Sequence, residues 1–339
     1  MAFYKITPID TLFFRGAVPF GAEEDLISKS FGFPPAPSNL YGAIKSLFFR
    51  VLDDPDTDFS IKQIFYQFGS AITLPLPTAL LQKKGDNEKF LLSKAKLTEV
   101  QGIIKNDISH LLVSHESDYK YRFDFIDKDK FTDFLRGKEF EEVEYEPYSK
   151  SITSFFKPGI KRLDSTKNVD AGKFFLMEGF EFKDVSFIVE LNIDIPGNLL
   201  KLGGESKIAL IEKFARPIRI RTGIETDRLL IYFATPTVFR ENPNLLKILG
   251  LEGELLTYSI GKFKHIGGFD IASGKPKIMY KFIPEGSIFL YELKEKIKID
   301  ELQGKKLIDA EIEDEFLSHY EKQARLSKQG FGIAYFGTF

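Results

Sequence analysis

Few side chains in this sequence are suited to acid–base or metal chemistry. There is no cysteine, and the four histidines are at positions 110, 115, 265 and 319. His110 and His115 are five residues apart, a spacing that suits neither one helix face nor a tight strand pair, and no acidic residue is evidently placed to complete a metal site. His265 is the one histidine that we consider as a general acid or base. Walker-type lysine loops and recognisable Ser-His-Asp groupings are also missing, so the sequence predicts no catalytic constellation, bound metal or other cofactor.

The residue types also suggest phosphate binding, and the candidate site for it is in residues 34–52. Prolines at positions 34, 35 and 37 predict a stiff, extended approach to a helix. Ser38 or Asn39 is expected to cap this helix, predicted over residues 38 to about 52, by accepting backbone N–H bonds. The free N–H groups at the helix start and the positive end of the helix dipole favour a phosphate there.

The two faces of this predicted helix differ in residue size. Apolar residues recur at helical spacing and predict one buried face, formed by Leu40, Ile44, Leu47, Phe48 and Val51. Gly42 and Ser46 fall on the opposite face with Lys45 beside them, so the backbone of a binding partner can approach closely. The alternative, which stays open, is that Gly42 only lets another element of the same chain pack tightly.

Composition and charge indicate a globular protein with a segregated surface. The chain has 339 residues, 43% of them apolar and 28% charged, which suggests about two domains. A formal charge of −2 argues against a protein that is basic all over. Basic residues nevertheless concentrate in 150–173, 201–240 and 262–281, which is compatible with one basic face. With no apolar run of membrane-spanning or signal length, we expect no membrane partner and a cytoplasmic location.

Strands and helices are predicted to interleave along the chain. Strands are predicted at residues 2–8, 187–193 and 229–234, an extended segment at 72–77, and helices at 61–68 and 127–135. A helix from Ile308, with apolar residues at 312, 316, 320 and 324, should end at Gly330 in the left-handed conformation. A glycine-rich loop and a final strand follow. The order helix, glycines, strand is the reverse of a dinucleotide-binding fold, which is therefore excluded.

Several short blocks occur in one order along the chain. They are Leu12-Phe13-Phe14-Arg15, Phe33-Pro34-Pro35-Ala36-Pro37-Ser38-Asn39, Gly159-Ile160-Lys161-Arg162, Leu202-Gly203-Gly204, Ile266-Gly267-Gly268, Ile283-Pro284-Glu285-Gly286 and Gly330-Phe331-Gly332. This series resembles the RAMP proteins of CRISPR interference complexes and, more narrowly, the third-subunit family of type III-B (Cmr) complexes.

The resemblance implies a fold and a set of partners. It implies an α+β RAMP architecture of two ferredoxin-like (RRM-type) units with insertions, which we place at residues 1–185 and 186–339, the second ending in the glycine-rich loop. It also implies a non-catalytic subunit that holds the 5′ handle of the guide RNA (crRNA). By the same resemblance, the protein partners would be the large cyclase/polymerase-like subunit and the first of the repeated RAMP backbone subunits.

RNA contacts are expected from four kinds of residue: cations on phosphates, helix-start groups, glycines whose N–H groups meet phosphate, and an aromatic side chain that stacks on a base. The residues are Arg15, Ser38, Asn39, Lys45, Lys161, Arg162, Gly203, Gly204, Lys328, Gly330, Phe331 and Gly332. On this hypothesis, Gly332→Val impairs RNA binding and leaves the fold intact. Two alternatives stay open. One is a metal-independent endoribonuclease that processes guide RNA precursors on a similar duplicated fold; the other is an assembly protein that binds only protein.

Overall fold

The computed structural model describes residues 1–14, 27–28, 32–54, 56–84, 90–99, 108–114, 116–162, 169–241, 243–270, 274–320 and 323–339. The strands are β1 (Ala2–Pro8), β2 (Ile27–Ser28), β3 (Ile61–Phe68), β4 (Ala71–Pro75), β5 (Leu80–Lys84), β6 (Phe90–Lys94), β7 (Lys96–Glu99), β8 (His110–Val113), β9 (Phe125–Asp127), β10 (Val143–Tyr145), β11 (Ile152–Arg162), β12 (Val169–Phe182), β13 (Val185–Leu191), β14 (Leu199–Lys201), β15 (Ile208–Phe214), β16 (Glu225–Phe233), β17 (Gly253–Ser259), β18 (Lys264–Ile266), β19 (Phe269–Asp270), β20 (Lys275–Pro276), β21 (Tyr280–Phe282), β22 (Ile288–Lys298) and β23 (Ala334–Gly337). The α-helices are α1 (Pro37–Leu52), α2 (Lys128–Leu135), α3 (Leu245–Leu249), α4 (Ala310–His319) and α5 (Leu326–Gln329).

The larger sheet is built around β1. Its seven strands lie in the order β14-β15-β1-β13-β3-β4-β9, and every neighbouring pair is antiparallel. Helix α1 connects β1 to β3 and buries its apolar face in the core of this sheet. Strand β13 begins at residue 185, the predicted domain boundary, and pairs with β1 and β3 from before it.

The second large sheet has four antiparallel strands in the order β17-β22-β16-β23. Helix α3 lies between β16 and β17 in the chain, and α4 and α5 lie between β22 and β23. Smaller sheets are formed by β10-β6-β5, by β11-β12-β2 and by the pairs β18-β21, β19-β20 and β7-β8. Mainly antiparallel sheets mixed with helices confirm the predicted α+β class.

The two large sheets share one apolar core. Phe131 of α2 packs against Tyr232 of β16 and Tyr335 of β23, with ring centroids 4.7 and 5.9 Å apart. The Tyr232 hydroxyl donates a 2.6 Å hydrogen bond to the carbonyl of Pro75 at the end of β4. The Tyr335 hydroxyl donates a 2.9 Å hydrogen bond to Oε1 of Gln63 in β3. These contacts fix the position of the second sheet against the first.

Most of the predicted elements are present, with three corrections. Strands β1, β13 and β16, the extended β4 and helices α1 and α2 lie where they were predicted. Residues 61–68, predicted as a helix, form strand β3. The helix predicted from Ile308 onward is two short helices, because α4 ends at His319 and α5 begins only at Leu326. Gly330 ends α5 in the left-handed conformation with φ +100°, as predicted.

The start of α1 is the third correction. The helix begins at Pro37, Ala36 is the N-cap residue, and no side chain caps the helix. Proline favours the first helical position because its fixed φ is already helical and its missing N–H has no intrahelical partner there. Ser38 and Asn39 therefore lie inside the first turn. No helix in the described ranges is long and apolar enough to span a bilayer.

Candidate nucleic-acid interface

The outer face of α1 is open to solvent around Gly42. The predicted inner residues Leu40, Ile44, Leu47 and Phe48 are buried, whereas Val51 is 50% exposed at the last turn. A Cβ added at Gly42 would meet no described atom within 4 Å. Within the described ranges, Gly42 therefore makes no tight packing contact, and this finding favours the prediction of a surface that an external partner can approach.

Lys45 and Ser46 continue this face as half-buried residues one turn further along the helix. At the helix start, the Asn39 N–H donates a 2.8 Å hydrogen bond to the carbonyl of Ala36. Ser38 and Asn39 are half-buried beside it. The face that combines Gly42, Lys45 and Ser46 is called the open face of α1 below.

The Gly203-Gly204 turn between β14 and β15 holds the segment that precedes Arg15. The Gly204 N–H donates a 2.8 Å hydrogen bond to the carbonyl of Phe13. A Cβ at Gly203, where φ is +81°, would lie 2.6 Å from the same carbonyl oxygen. Both glycines are therefore needed for close packing against Phe13. Arg15 lies outside the described residues.

A long hairpin, β11-β12, projects from the same region. The Lys157 ammonium lies 3.1 Å from the Glu205 carboxylate, which joins β11 to the turn beside Gly204. Lys161 and Arg162 are at the far end of β11, where Arg162 pairs with Val169. Residues 159–162, one of the blocks that carry the family resemblance, are thus strand. The side chains of Lys161 and Arg162 lie outside the described part of the structure.

The glycine-rich loop is buried. The N–H groups of Gly330, Phe331 and Gly332 donate to the carbonyls of Ser327, Leu326 and Pro236. A Cβ at Gly332 would lie 2.5 Å from Cγ1 of Ile308.

The ring of Phe331 is 1% exposed and lies 4.9 Å from the ring of Phe282. The expectation that the N–H groups of this loop are open to a phosphate is corrected by their pairing within the chain. Contact of these residues with RNA stays a prediction.

The predicted RNA-binding residues outside helix α1 fall into two groups, one near each end of the helix. Near its C-terminal end, the Arg50 guanidinium donates a 2.8 Å hydrogen bond to the carbonyl of Leu199 in β14, on the side of the glycine turn. At its start, Ala36 belongs to the same buried cluster as Leu326 and Phe331. Lys328 belongs to this second group, and its ammonium lies 2.7 Å from an oxygen of Asp58. This ion pair places Lys328 close to the chain segment that follows α1.

A half-buried lysine that the sequence did not single out contacts the last turn before the glycine-rich loop. Lys306 Nζ donates a 2.5 Å hydrogen bond to the carbonyl of Ile61 and a second hydrogen bond to the carbonyl of Ser327. It thereby joins β3 of the first sheet to α5 of the second. The pKa of Lys306 is lowered to about 7, mainly by burial and also by nearby Lys62, while Glu313 opposes the shift.

The lowered pKa of Lys306 leads to a pH prediction. Its pKa falls from 10.5 in the unfolded chain to about 7 in the folded protein, so between these two pH values the unfolded chain binds more protons. The free energy of unfolding should therefore rise from about pH 7 to about pH 10 because of this group. The rise should be smaller in Lys306→Met, as measured by urea unfolding at each pH. An unchanged pH dependence in Lys306→Met would contradict the assignment.

The histidines do not assemble a metal or catalytic site among the described residues. No group of three or more His, Asp or Glu side chains suited to a metal ion occurs in those ranges. His265 is exposed in β18, opposite Lys281 of β21. Nδ1 of His110 lies 2.8 Å from Oγ of Ser109, and Nδ1 of His319 lies 2.8 Å from the carbonyl oxygen of Glu315. His115 lies outside the described residues.

Comparison with known proteins places the chain in a sequence family and a fold. A family model described as CRISPR-associated protein (Cas_Cmr3) matches residues 4–339. A chain from the cryo-EM structure of the Type III-B Cmr-beta complex bound to cognate target RNA and AMPPnP is 19% identical, with a TM-score of 0.54, over 97% of this chain and 94% of that chain. A chain from the same type of complex bound to cognate target RNA is 20% identical, with a TM-score of 0.52, over 94% of each chain. No curated protein matches the sequence significantly. At these identities, the structural likeness shows a shared fold.

Proposed function

The chain belongs to the Cas_Cmr3 family of CRISPR-associated proteins, and we propose that it is a non-catalytic subunit of a type III-B effector complex that binds the 5′ handle of the guide RNA. Its protein partners would be the large cyclase/polymerase-like subunit and the first RAMP backbone subunit, and its location the cytoplasm. The family match over residues 4–339 supports membership of the complex. The open face of α1 is the observation that carries RNA binding.

We infer that each large sheet belongs to a ferredoxin-like unit. In the first sheet, the order β15-β1-β13-β3 with α1 between β1 and β3 has the strand order of that fold. In the second, the order β23-β16-β22-β17 is the same, with helices in both connections. On this inference, β13 and β15 complete the first unit, and we propose a boundary between Phe214 and Glu225 in place of residue 185.

The open face of α1 suits a nucleic-acid backbone for two physical reasons. Without a side chain at Gly42, a phosphate can approach the helix more closely than it could over a Cβ. Lys45 lies on the same face and can supply a positive charge, and phosphate contacts of this kind carry affinity without reading sequence. Near the C-terminal end of α1, Arg50 contacts β14, and the turn after β14 contacts both Phe13 and Lys157 of the β11-β12 hairpin. We infer that these segments extend the same proposed path.

A binding measurement tests this proposal. RNA carrying the repeat-derived handle of the native host would be titrated against wild type, Gly42→Glu and Lys45→Glu by fluorescence anisotropy. We expect both variants to bind at least about tenfold more weakly, because each places a carboxylate where a phosphate should lie. Lys45→Ala should lower the slope of log affinity against log salt by about one.

Lys296→Glu is the matched control, since it makes the same charge change on an exposed residue of β22. It should bind the handle RNA like wild type. If Gly42→Glu and Lys45→Glu also bind like wild type while assembly with other subunits fails, the open face of α1 is a protein interface and the RNA assignment is wrong.

Absence of cleavage is a separate expectation of the non-catalytic proposal. Purified protein incubated with repeat RNA and chelator should leave the RNA intact on a denaturing gel, because His265 is exposed and lies opposite Lys281, not a carboxylate, in the β18-β21 pair. Site-specific cleavage that is lost in His265→Ala would instead establish the endoribonuclease alternative.

A further inference from the structure

The segment that connects the two large sheets carries three exposed arginines. It runs from the end of β15 to the start of β16 and contains Arg216, Arg219 and Arg221, with no acidic residue between positions 213 and 224. The three arginines are exposed, whereas Ile218 and Ile220 between them are buried. This alternation is that of an extended chain, which places Arg219 and Arg221 on one side, about 6.6 Å apart. Residues 216–221 are called the arginine strap below.

Contacts with both sheets hold the arginine strap in position. Ile218 and Ile220 belong to the apolar core that the two sheets share. Asp300, which follows β22 of the second sheet, accepts a 2.8 Å hydrogen bond from the N–H of Thr222. Nε of Arg136, which follows α2, donates a 3.2 Å hydrogen bond to the carbonyl of Thr222. The arginines therefore project from a fixed backbone, which reduces the entropy that a ligand must overcome on binding.

Neighbouring acidic residues neutralise only part of the charge of the strap. Nη1 of Arg219 lies 3.1 Å from Oε1 of Glu190, whose carboxylate is buried, so this guanidinium balances a charge inside the protein. Arg221 interacts electrostatically with Asp300. The guanidinium of Arg216 has no hydrogen-bond or ion-pair partner in the described part of the chain. Three cations thus face two anions, and one guanidinium is in excess.

The strap and the start of α1 lie on opposite faces of the seven-stranded sheet. Cζ of Arg219 is 5.4 Å from the centroid of the Phe3 ring. Phe33, just before α1, packs against Phe187, which pairs with Ile6. Phe3 and Ile6 are three residues apart in β1, so their side chains point to opposite faces. An RNA strand on the open face of α1 would therefore reach the strap only with a different stretch of its backbone.

The residue types of the strap favour a phosphodiester chain over a protein segment. All Phe and Ile side chains of residues 213–224 are buried or half-buried, whereas protein interfaces are centred on aromatic or apolar anchors. A guanidinium group can donate two parallel hydrogen bonds to one phosphate. A phosphodiester chain carries a negative charge at every nucleotide, so it can meet each arginine of a regularly spaced row.

We propose that the arginine strap binds the phosphodiester backbone of single-stranded RNA, and that this RNA is the part of the guide that follows the handle. The inference rests on the proposed function in taking the guide as the bound RNA. It assigns a second phosphate-binding surface to the connection between the two sheets, separate from the open face of α1.

A comparison of two RNAs tests the proposal. The handle alone, and the handle extended at its 3′ end by about 10 uridines, a length within the range that one single-strand-binding domain covers, would be titrated by fluorescence anisotropy. Wild type should bind the extended RNA about tenfold more tightly than the handle. Arg216→Glu and Arg221→Glu should lose this gain, because each sets a carboxylate against a phosphate.

Both variants should bind the handle alone like wild type, which also shows that they are folded. Arg219 is left unchanged because it neutralises the buried Glu190. Lys247→Glu is the matched control, since it makes the same kind of charge change on an exposed residue of α3, and it should keep the gain.

The outcomes separate the strap from the proposed function. Equal affinity of wild type for the two RNAs, or a gain that persists in Arg216→Glu and Arg221→Glu, would contradict the strap alone. Failure of wild type to bind the handle would contradict the proposed function. The same uridine strand supplied without the handle should bind more weakly than the extended RNA. If it binds as tightly, and less so to the two variants, the strap takes a separate RNA strand and the assignment to the guide is wrong.

Discussion

Gly332→Ala should lower the free energy of unfolding by about 2–6 kcal/mol, because it adds left-handed strain of about 1–3 kcal/mol and overpacking of about 1–3 kcal/mol. Gly332 has φ +70°, and an added Cβ would lie 2.5 Å from Cγ1 of Ile308 and 2.6 Å from the carbonyl oxygen of Leu307. Valine at this position should cost more, because its two further methyl groups enter the same closed space. Urea unfolding followed by circular dichroism measures the change.

Gly42→Ala is the matched control, since it makes the same chemical change where the described structure leaves the space open. Alanine has the higher helix propensity, so this variant should be more stable than wild type by up to about 1 kcal/mol. Equal stability of Gly332→Ala and Gly42→Ala would contradict the packing described for the loop. The sequence-based expectation that Gly332→Val leaves the fold intact is corrected by the same contacts.

These glycines show what local sequence can and cannot predict. Gly330 was predicted correctly because a helix end and its cap are adjacent in the chain, and its φ is +100°. Gly203 and Gly332 are constrained by Phe13 and Ile308, which are distant in sequence. Nothing in the local pattern reveals that such a residue faces a remote carbonyl or side chain. The glycine-containing blocks can therefore be recognised in the sequence. The contacts that require glycine at these positions are visible only in the tertiary structure.

Strand β3 was mistaken for a helix for a related reason. Its apolar residues Ile61, Ile64, Phe65 and Phe68 have helical spacing. The strand lies between β13 and β4 in the interior of the sheet, where side chains of both faces can be buried, so the alternation typical of a half-exposed strand is lost. Helix α1 has one buried and one open face, so the spacing of its apolar residues correctly predicts a helix. The spacing of apolar residues therefore distinguishes helix from strand only where one face of the element meets solvent.

The shared core provides the second large expected effect. Phe131 is fully buried in α2 and contacts Tyr232 and Tyr335 of the second sheet. Phe131→Ala should lower the free energy of unfolding by about 3–5 kcal/mol, because it removes a buried ring and leaves a cavity. Phe156→Ala, at a site 55% exposed on β11, should change it by no more than about 0.5 kcal/mol.

The cooperativity of unfolding distinguishes a shared core from two independent ones. Because α2 packs between the sheets, Phe131→Ala should move a single transition to lower urea concentration, with circular dichroism and tyrosine fluorescence changing together. The chain has 13 tyrosines and no tryptophan, so tyrosine emission can be followed directly. Independent cores would instead give two transitions, only one of them shifted by the substitution. That result would mean that the contacts of Phe131 with Tyr232 and Tyr335 contribute little, and that the two large sheets are held together mainly by the connecting chain.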